Sequence, residues 1–324
     1  MRRVLGVVLT GLGAFLLLLA ILARFYLPGQ VIKFPLNEYS VSTLTGTNAT
    51  YFSQQTGTEV TGATVRAVST VQGDVAAGSS STAVWNDITG VFDTTHGASP
   101  GIPISYSTER MAFNRRTGLL VNCCGAEIGT KRVKMSGQGY VWPIGTQKQN
   151  YQIFDTTLLK PEPVTYTGTS TVDGMNVDIF AEYINNQKVG TVSLPGSLVG
   201  ISSQPTVTLP EYLSAVNTYY VDPGTGSPLK VVESENDSLT NPSTGATALT
   251  LLRGTLASTP KSIAAAVHIA KTSDNEISWV QDIGPIIGVL LGLVLLVLGI
   301  LLILGADTDA YGYEEEDLEV PASA

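Results

Sequence analysis

The sequence predicts a mainly β (α+β) extracytoplasmic domain, built of two tandem related β-rich halves and flanked by N- and C-terminal transmembrane helices. Three observations predict it. Two long uncharged apolar runs lie near the chain ends. The stretch between them is rich in Thr, Val, Ser, Gly and Tyr, broken by turn residues at about eight- to twelve-residue intervals. Several short motifs recur about 108 residues apart, the mark of a duplicated unit.

The apolar runs come first in the argument. Only 14% of the chain is charged, against about 25% in ordinary soluble proteins, and the deficit sits at the two ends. Val4 to Ala23 and Ile283 to Ala306 carry no charge over 20 and 24 residues. About 20 apolar residues span a bilayer core as a helix. Arg2 and Arg3 precede the first run and hold the N-terminus in the cytoplasm. A cleaved signal peptide is the competing reading of that run, but the exit LAILARFYLPG lacks a small-x-small cleavage site. The expected layout is therefore a cytoplasmic N-terminus (1–3), a first transmembrane helix (4–26), a first β-rich half (27–137), a second (138–257), a linker helix (258–282), a second transmembrane helix (283–306) and an acidic cytoplasmic tail (307–324). This is a two-pass protein of the cytoplasmic membrane, with both termini inside and the large domain outside. The bilayer itself is the first expected partner.

Small residues recur at helical spacing in both runs: Gly6, Thr10 and Ala14 in the first, and Gly284, Gly288 and Gly292 in the second. Such stripes let helix backbones approach closely, either each other or another membrane protein. Neither run carries a charge of the kind that marks an ion or proton path. The tail DTDAYGYEEEDLEVPASA holds seven acids and no Lys or Arg. It reads as a solvated, disordered end, with a docking peptide for a basic partner as the alternative. The net charge of −9 is the opposite of a nucleic-acid footprint, so no nucleic acid is expected as a partner.

Between the helices, ATVRAVSTVQG (63–73) and MNVDIFAEYI (175–184) show the alternation of strands. TLPEYLSAVN (208–217) reads as a short helix with Pro210 in its first turn, and STPKSIAAAVHIAKTSDNE (258–276) as a longer one, with a Ser or Thr cap and Pro260 at its start. The repeat rests on three pairs: IKFPL (32–36) with YVWPI (140–144), TGTEVTGATV (56–65) with TGTSTVDGMNV (167–177), and FNRRTGLLV (113–121) with YVDPGTGSPLKV (220–231). Thr117-Gly118 and Thr225-Gly226 each put a glycine where a tight hairpin needs positive φ.

Chemistry is sparse. His96 and His268 are the two histidines, and neither has a partner at a useful spacing. Zinc spacings, a nucleophile elbow and a phosphate-cradling glycine loop are all missing from the sequence. Glu233 and Glu235 share one side of a strand and read as the solvated face of a hairpin. No enzyme activity and no cofactor are expected. Cys123 and Cys124, the only cysteines, adjoin Gly125. In an oxidising compartment they form a vicinal disulfide, remain free thiols, or bond to another chain. Tyr140, Trp142, Tyr151 and Phe154 are weak candidates for lining a ligand groove, with a place in the core as the plainer reading.

FNRRTG (113–118), YVWPIGTQKQNYQIFDTTL (140–158) and YYVDPGTGSPLKVVE (219–233) resemble motifs of the actinobacterial PorA-type envelope membrane proteins, a family with relatives such as the polar growth factor PgfA. The resemblance covers nearly the whole chain, and its motifs are turns and strand starts. It implies an envelope lipid, such as a glycolipid, as a ligand to be bound or handed over in the manner of a transport accessory. Envelope transporter or assembly proteins are the further implied partners. A non-catalytic scaffold or assembly factor is the alternative, and an envelope enzyme of unknown reaction the second. The porin label fits the sequence poorly, because two apolar helices do not line a water pore.

Overall fold

A computed structural model describes residues 1–95 and 102–311. His96 and the acidic tail beyond Tyr311 lie outside the described residues. The chain forms two compact units, Met1–Ile32 with the chain from Ser273 onward, and Lys33–Thr272.

The first unit is helical. Helix α1 (Arg2–Phe25) is followed by a short α2 (Leu27–Val31). At the other end of the chain, α3 (Pro260–Ser278) runs through a π turn at Trp279–Ile283 into α4 (Gly284–Tyr311). By length and composition, Arg2–Phe25 and Pro260–Gly305 can each cross a membrane. The α1–α4 contact is built on missing side chains. A Cβ on Gly13 would lie 2.6 Å from the Leu296 nitrogen, one on Gly6 2.9 Å from the Gly299 oxygen, and one on Gly288 3.0 Å from the Ala20 Cβ. Gly6 and Thr10 lie in this contact, but Ala14 is exposed and Gly13 takes its place; Gly292 meets Leu17, and Gly299 rather than Gly284 extends the other side. The contacts on α1 step 6, 10, 13, 17, 20, alternating fours and threes, because a packed seam follows a period near 3.5 rather than a fixed four. The outward residues, among them Val8, Phe15, Leu22, Leu290 and Leu298, are large, apolar and exposed, as a lipid-facing surface requires.

The second unit is one antiparallel sheet of eleven strands: β1 (Tyr39–Ser53), β2 (Thr58–Gly73), β3 (Thr82–Asp93), β4 (Ser105–Asn114), β5 (Glu127–Ile128), β6 (Tyr151–Asp155), β7 (Lys160–Val172), β8 (Met175–Pro195), β9 (Thr206–Val221), β10 (Pro228–Thr240) and β11 (Thr247–Ser258). Their order is β5-β4-β3-β2-β1-β11-β10-β9-β8-β7-β6. The first and last strands pair in the middle, through Leu44–Ser258 and Tyr51–Leu252 among others. Strands β1–β5 lie on one side of this pairing and β6–β11 on the other, but five strands face six and the two sets do not match strand for strand, so the expected pair of related halves is not seen. No open seam separates them, because the β1–β11 ladder joins them.

TLPEYLSAVN is not a helix. It lies in β9, between β8 and β10. Leu209, Leu213 and Ala215 are buried at alternate positions, and this period of two outweighs the helix-start signal of Pro210, which sits near a register irregularity of the β8–β9 ladder where proline is tolerated. Helix α3 does start at Pro260, with Thr259 Oγ1 accepting from the Ser262 amide, and it buries Val267 and Ala270 against Val172, Met175, Val177 and Leu229.

The sheet curls until its two ends meet. Phe113 bridges to Leu120, Leu119 to Gln138, and Gln138 in parallel to Ile153 of β6. The Gln138 amide donates to the Gln152 oxygen, while its carbonyl accepts from Phe154. The two Thr-Gly turns hold the segment that follows. Ile144 donates to the Arg116 oxygen of one turn, and Trp142 to the Gly226 oxygen of the other. Both glycines have positive φ, +67 at Gly118 and +75 at Gly226, and a Cβ on either would strike backbone carbonyls of Val141 or Pro143. Phe34 of IKFPL docks in a related way, donating from its backbone to the Arg115 oxygen.

Candidate functional site

Alternate residues of each strand point into the curl, and the ladders fix which. Trp85, Asp87 and Thr89 of β3 pair with Met111, Glu109 and Ser107 of β4. Glu233, Glu235 and Asp237 of β10 pair with Asn217, Ala215 and Leu213 of β9 on one side and with Leu256, Gly254 and Leu252 of β11 on the other. Asn217 in turn pairs with Glu182 of β8, and Glu182 with Val164 of β7.

One end of this interior is apolar. Phe34, Trp85, Phe113, Met135 and Phe154 form one cluster, and Trp142, Ile153, Val164, Phe180 and Val221 a second. The four aromatic candidates therefore do not form one wall. Phe154 belongs to the first cluster, and Trp142 and Tyr151 to the second. Tyr140 stacks on Trp85, with centroids 6.2 Å apart, and its hydroxyl is buried without a hydrogen-bond partner.

Next to the aromatic layer lies a belt of carboxyls from strands all around the curl: Asp87, Glu109, Asp155, Glu182, Glu233 and Glu235. Burial is the main cause of the raised pKa of each, and like charges add to it at Glu109, Asp155, Glu182 and Glu235. Glu109 is pushed up to about 7, with Asp87, Asp155 and Glu233 contributing. Glu235 reaches about 7 beside Glu233 and Asp155. Glu182 also reaches about 7, with Asp155 and Glu162 adding to burial while Asn217 and Tyr219 hydrogen bonds oppose the rise. Asp87, Asp155 and Glu233 are raised as well. Asp237 is raised by burial and by Glu211 and Glu235. Glu233 on β10 adds to the rise at Glu109 on β4 although the two strands stand far apart in the strand order, in keeping with the closure that the Gln138 bridges make.

Glu233 and Glu235 are thus not the solvated face of a hairpin. Alternation shows which residues share a face but not which face turns inward. All but Glu182 keep part of their surface open to water, so the belt lines accessible space rather than solid core. A pocket of about 500 Å3 opens on β8–β11 and β1, its lining mixing inward residues (Ile184, Ala215, Glu235, Gly254) with outward ones such as Asn236 and Arg253.

Polar partners orient some of the carboxyls. Ser69 Oγ donates to Asp87 Oδ1 at 2.7 Å, and Asn217 Nδ2 to Glu182 Oε2 at 2.9 Å. Lys160 Nζ sits 2.7 Å from Glu162 Oε1. Glu182 is 2% exposed, and its Oε1 has no hydrogen-bond partner. Among the described residues, no group of three or more His, Cys, Asp or Glu is placed to hold a metal ion.

The porin PorA family model matches residues 5–301. The chain belongs to the porin PorA family. Comparison with curated proteins gives no match. The matched range takes in most of both apolar helices and the whole curled sheet of this PorA-family protein, and the family and the helices together fit a membrane protein of the envelope.

The other sequence candidates lie away from the belt. Cys123 and Cys124 are joined to each other, with Cys124 at a φ of +59. Arg110 Nε donates to the Cys124 carbonyl at 3.0 Å and its guanidinium pairs with Asp74 at 2.8 Å. His268 lies exposed on α3.

Proposed function

We propose that this PorA-family protein is a non-catalytic accessory of the cell envelope, anchored in the cytoplasmic membrane with both termini inside, whose β unit works outside and holds or hands over an envelope lipid, such as a glycolipid, by its polar headgroup. The observation that carries this reading is the water-accessible carboxyl belt inside the curled sheet. A solid β core would bury apolar side chains there, since uncompensated charge is costly to bury. An acyl-chain groove would likewise be apolar, so the belt suits a headgroup better than a chain. The resemblance of the motifs to PorA-type envelope proteins, among whose relatives is PgfA, favours a lipid over other ligands.

The test is to extract the full chain with its surrounding bilayer in polymer discs and identify retained molecules by mass spectrometry. The matched variant, Thr89→Trp, crowds the interior beside Asp87. One lipid enriched over the bulk membrane in the parent and depleted in the variant is the expected result. Identical lipid profiles for parent, variant and bulk membrane would remove the reading.

A further inference from the structure

The belt has a sign. The inward positions of β3, β4, β9 and β10 carry Asp87, Glu109, Glu211, Glu233, Glu235 and Asp237, and no lysine or arginine shares those inward positions. Lys160, at the β6–β7 turn, is engaged by Glu162. Anionic headgroups are repelled by such a lining. The choice among other ligands turns on spacing and on the aromatic neighbours. The carboxyls come from different strands around the wall and do not converge on one point, which matches the lack of a metal-holding group among the described residues. A single ion fits such a wall poorly; a cation with several spaced N–H donors fits it well. The Trp85–Tyr140 stack lies beside Asp87 and Glu109, and Trp142 packs on Tyr219 beside Glu182. Aromatic faces next to carboxylates are the standard receptor for an ammonium group. Glu182 supplies an independent sign of a ligand: Asn217 and Tyr219 engage its carboxyl, yet Oε1 is buried without a hydrogen-bond partner, which is costly for an acceptor oxygen.

We infer that the interior of the curled sheet is a site for an organic ammonium ligand, bound through Glu182, Glu233, Glu235 and Glu109 with the Trp85–Tyr140 pair as an aromatic wall. The inference rests on the interior being the ligand site, and deepens that reading by naming the charge of the headgroup. Two sources carry the chemistry: an amine-bearing lipid headgroup and a free polyamine.

The experiment uses the full chain in nanodiscs of zwitterionic phosphatidylcholine, titrated with spermidine at about pH 8 and moderate salt while tryptophan fluorescence is followed. Saturable binding is expected. It should weaken about tenfold or more in the Glu233→Gln/Glu235→Gln double variant, as for loss of a desolvated charge partner, and again at about pH 5 as the carboxyls take up protons. Glu276→Gln, on the exposed side of α3, should change nothing. Gln keeps the shape and removes the repulsion, so the double variant folds, which its melting temperature verifies. In a second arm, discs doped with lysyl-phosphatidylglycerol should compete with spermidine. If they do, the source is a lipid; if only spermidine binds, the site takes a free amine and the lipid reading falls. Spermidine binding unaltered in the double variant would place the amine on the outer surface and overturn the inference. Methyl glucoside binding that depends on Glu233 and Glu235, without spermidine binding, would overturn the ammonium assignment yet keep the headgroup site. Binding of none of the probes would remove the ammonium site, and the retained-lipid profiles would still judge the headgroup reading on their own.

Discussion

Glu235→Gln should make the β unit more stable in neutral and alkaline solution and leave it unchanged in acid. Burial, Glu233 and Asp155 lift the Glu235 carboxyl from 4.5 to about 7, a displacement that corresponds to about 3 kcal/mol. Partial contact with water and relaxation of the neighbouring carboxyls reduce this, so about 1–2 kcal/mol is the expected gain. The sign follows from proton counting. Between about pH 4.5 and 7 the folded protein holds a proton on this group that the unfolded chain has lost, so stability falls as pH rises. The contribution is fully present below the unfolded pKa and gone above the folded one. Glutamine cannot ionise, so the variant avoids the loss. Denaturant unfolding of the full chain in detergent, followed by the fluorescence of Trp85 and Trp142, should give matching midpoints for parent and variant near pH 4 and a higher midpoint for the variant near pH 8. A variant less stable than the parent at pH 8, or a gain of equal size at both pH values, would refute a desolvated, mutually repelling belt.

Gly226→Ala should cost at least about 2 kcal/mol, because φ there is +75 and a Cβ would lie 2.6 Å from the Pro143 oxygen; the same unfolding assay measures it. Gly13→Leu should disrupt the α1–α4 pair, while Ala14→Leu, on the exposed side, should not. Crosslinking between cysteines placed at Leu17 and Leu291 distinguishes the two. In sealed inverted membrane vesicles, added protease should remove a C-terminal epitope tag and spare the β unit; the opposite pattern would reverse the proposed topology.

The elements legible in the sequence were those whose signal is local. An uncharged run of twenty residues announces an apolar helix whatever surrounds it, and Thr259-Pro260 announces the start of α3. The Thr-Gly turns were legible because positive φ is a property of the glycine itself, and Gly118 and Gly226 hold the two hairpins that grip residues 140–146. Non-local features were hidden. TLPEYLSAVN reads as a helix because Pro210 is a good first-turn residue, while the ladders that override it come from the flanking strands β8 and β10 and leave no mark within the segment itself. The belt was hidden for the same reason. Glu233, Glu235 and Asp237 are visibly on one face, but the inward turn of that face depends on closure through Gln138, about a hundred residues away. The one available sign was Tyr219-Tyr220 and Val231-Val232 next to the acids, a neighbourhood more apolar than a solvated hairpin requires.

The same alternation decides what kind of barrel this is. A strand-built membrane pore is apolar outside and polar within, with a lipid-facing band about 25 Å tall. Here the interior meets half of that pattern, with carboxyls in the middle and aromatic clusters at one end. The outside does not. Arg66 and Gln72 on β2, Asn236 on β10, and Arg253 and Thr255 on β11 are exposed outward residues, and placing them in hydrocarbon is costly, about 2–4 kcal/mol for each arginine at the midplane. The closing segment also carries aromatic side chains into one end of the curl, where Met135, Val141 and Trp142 are buried. A sheet with charged and polar residues on its outside, a partly filled inside and an acidic middle layer does not have the wall of such a pore. Large exposed apolar side chains run the length of α1 and α4, whereas on the outside of the sheet they are interrupted by Arg66, Gln72, Asn236 and Arg253.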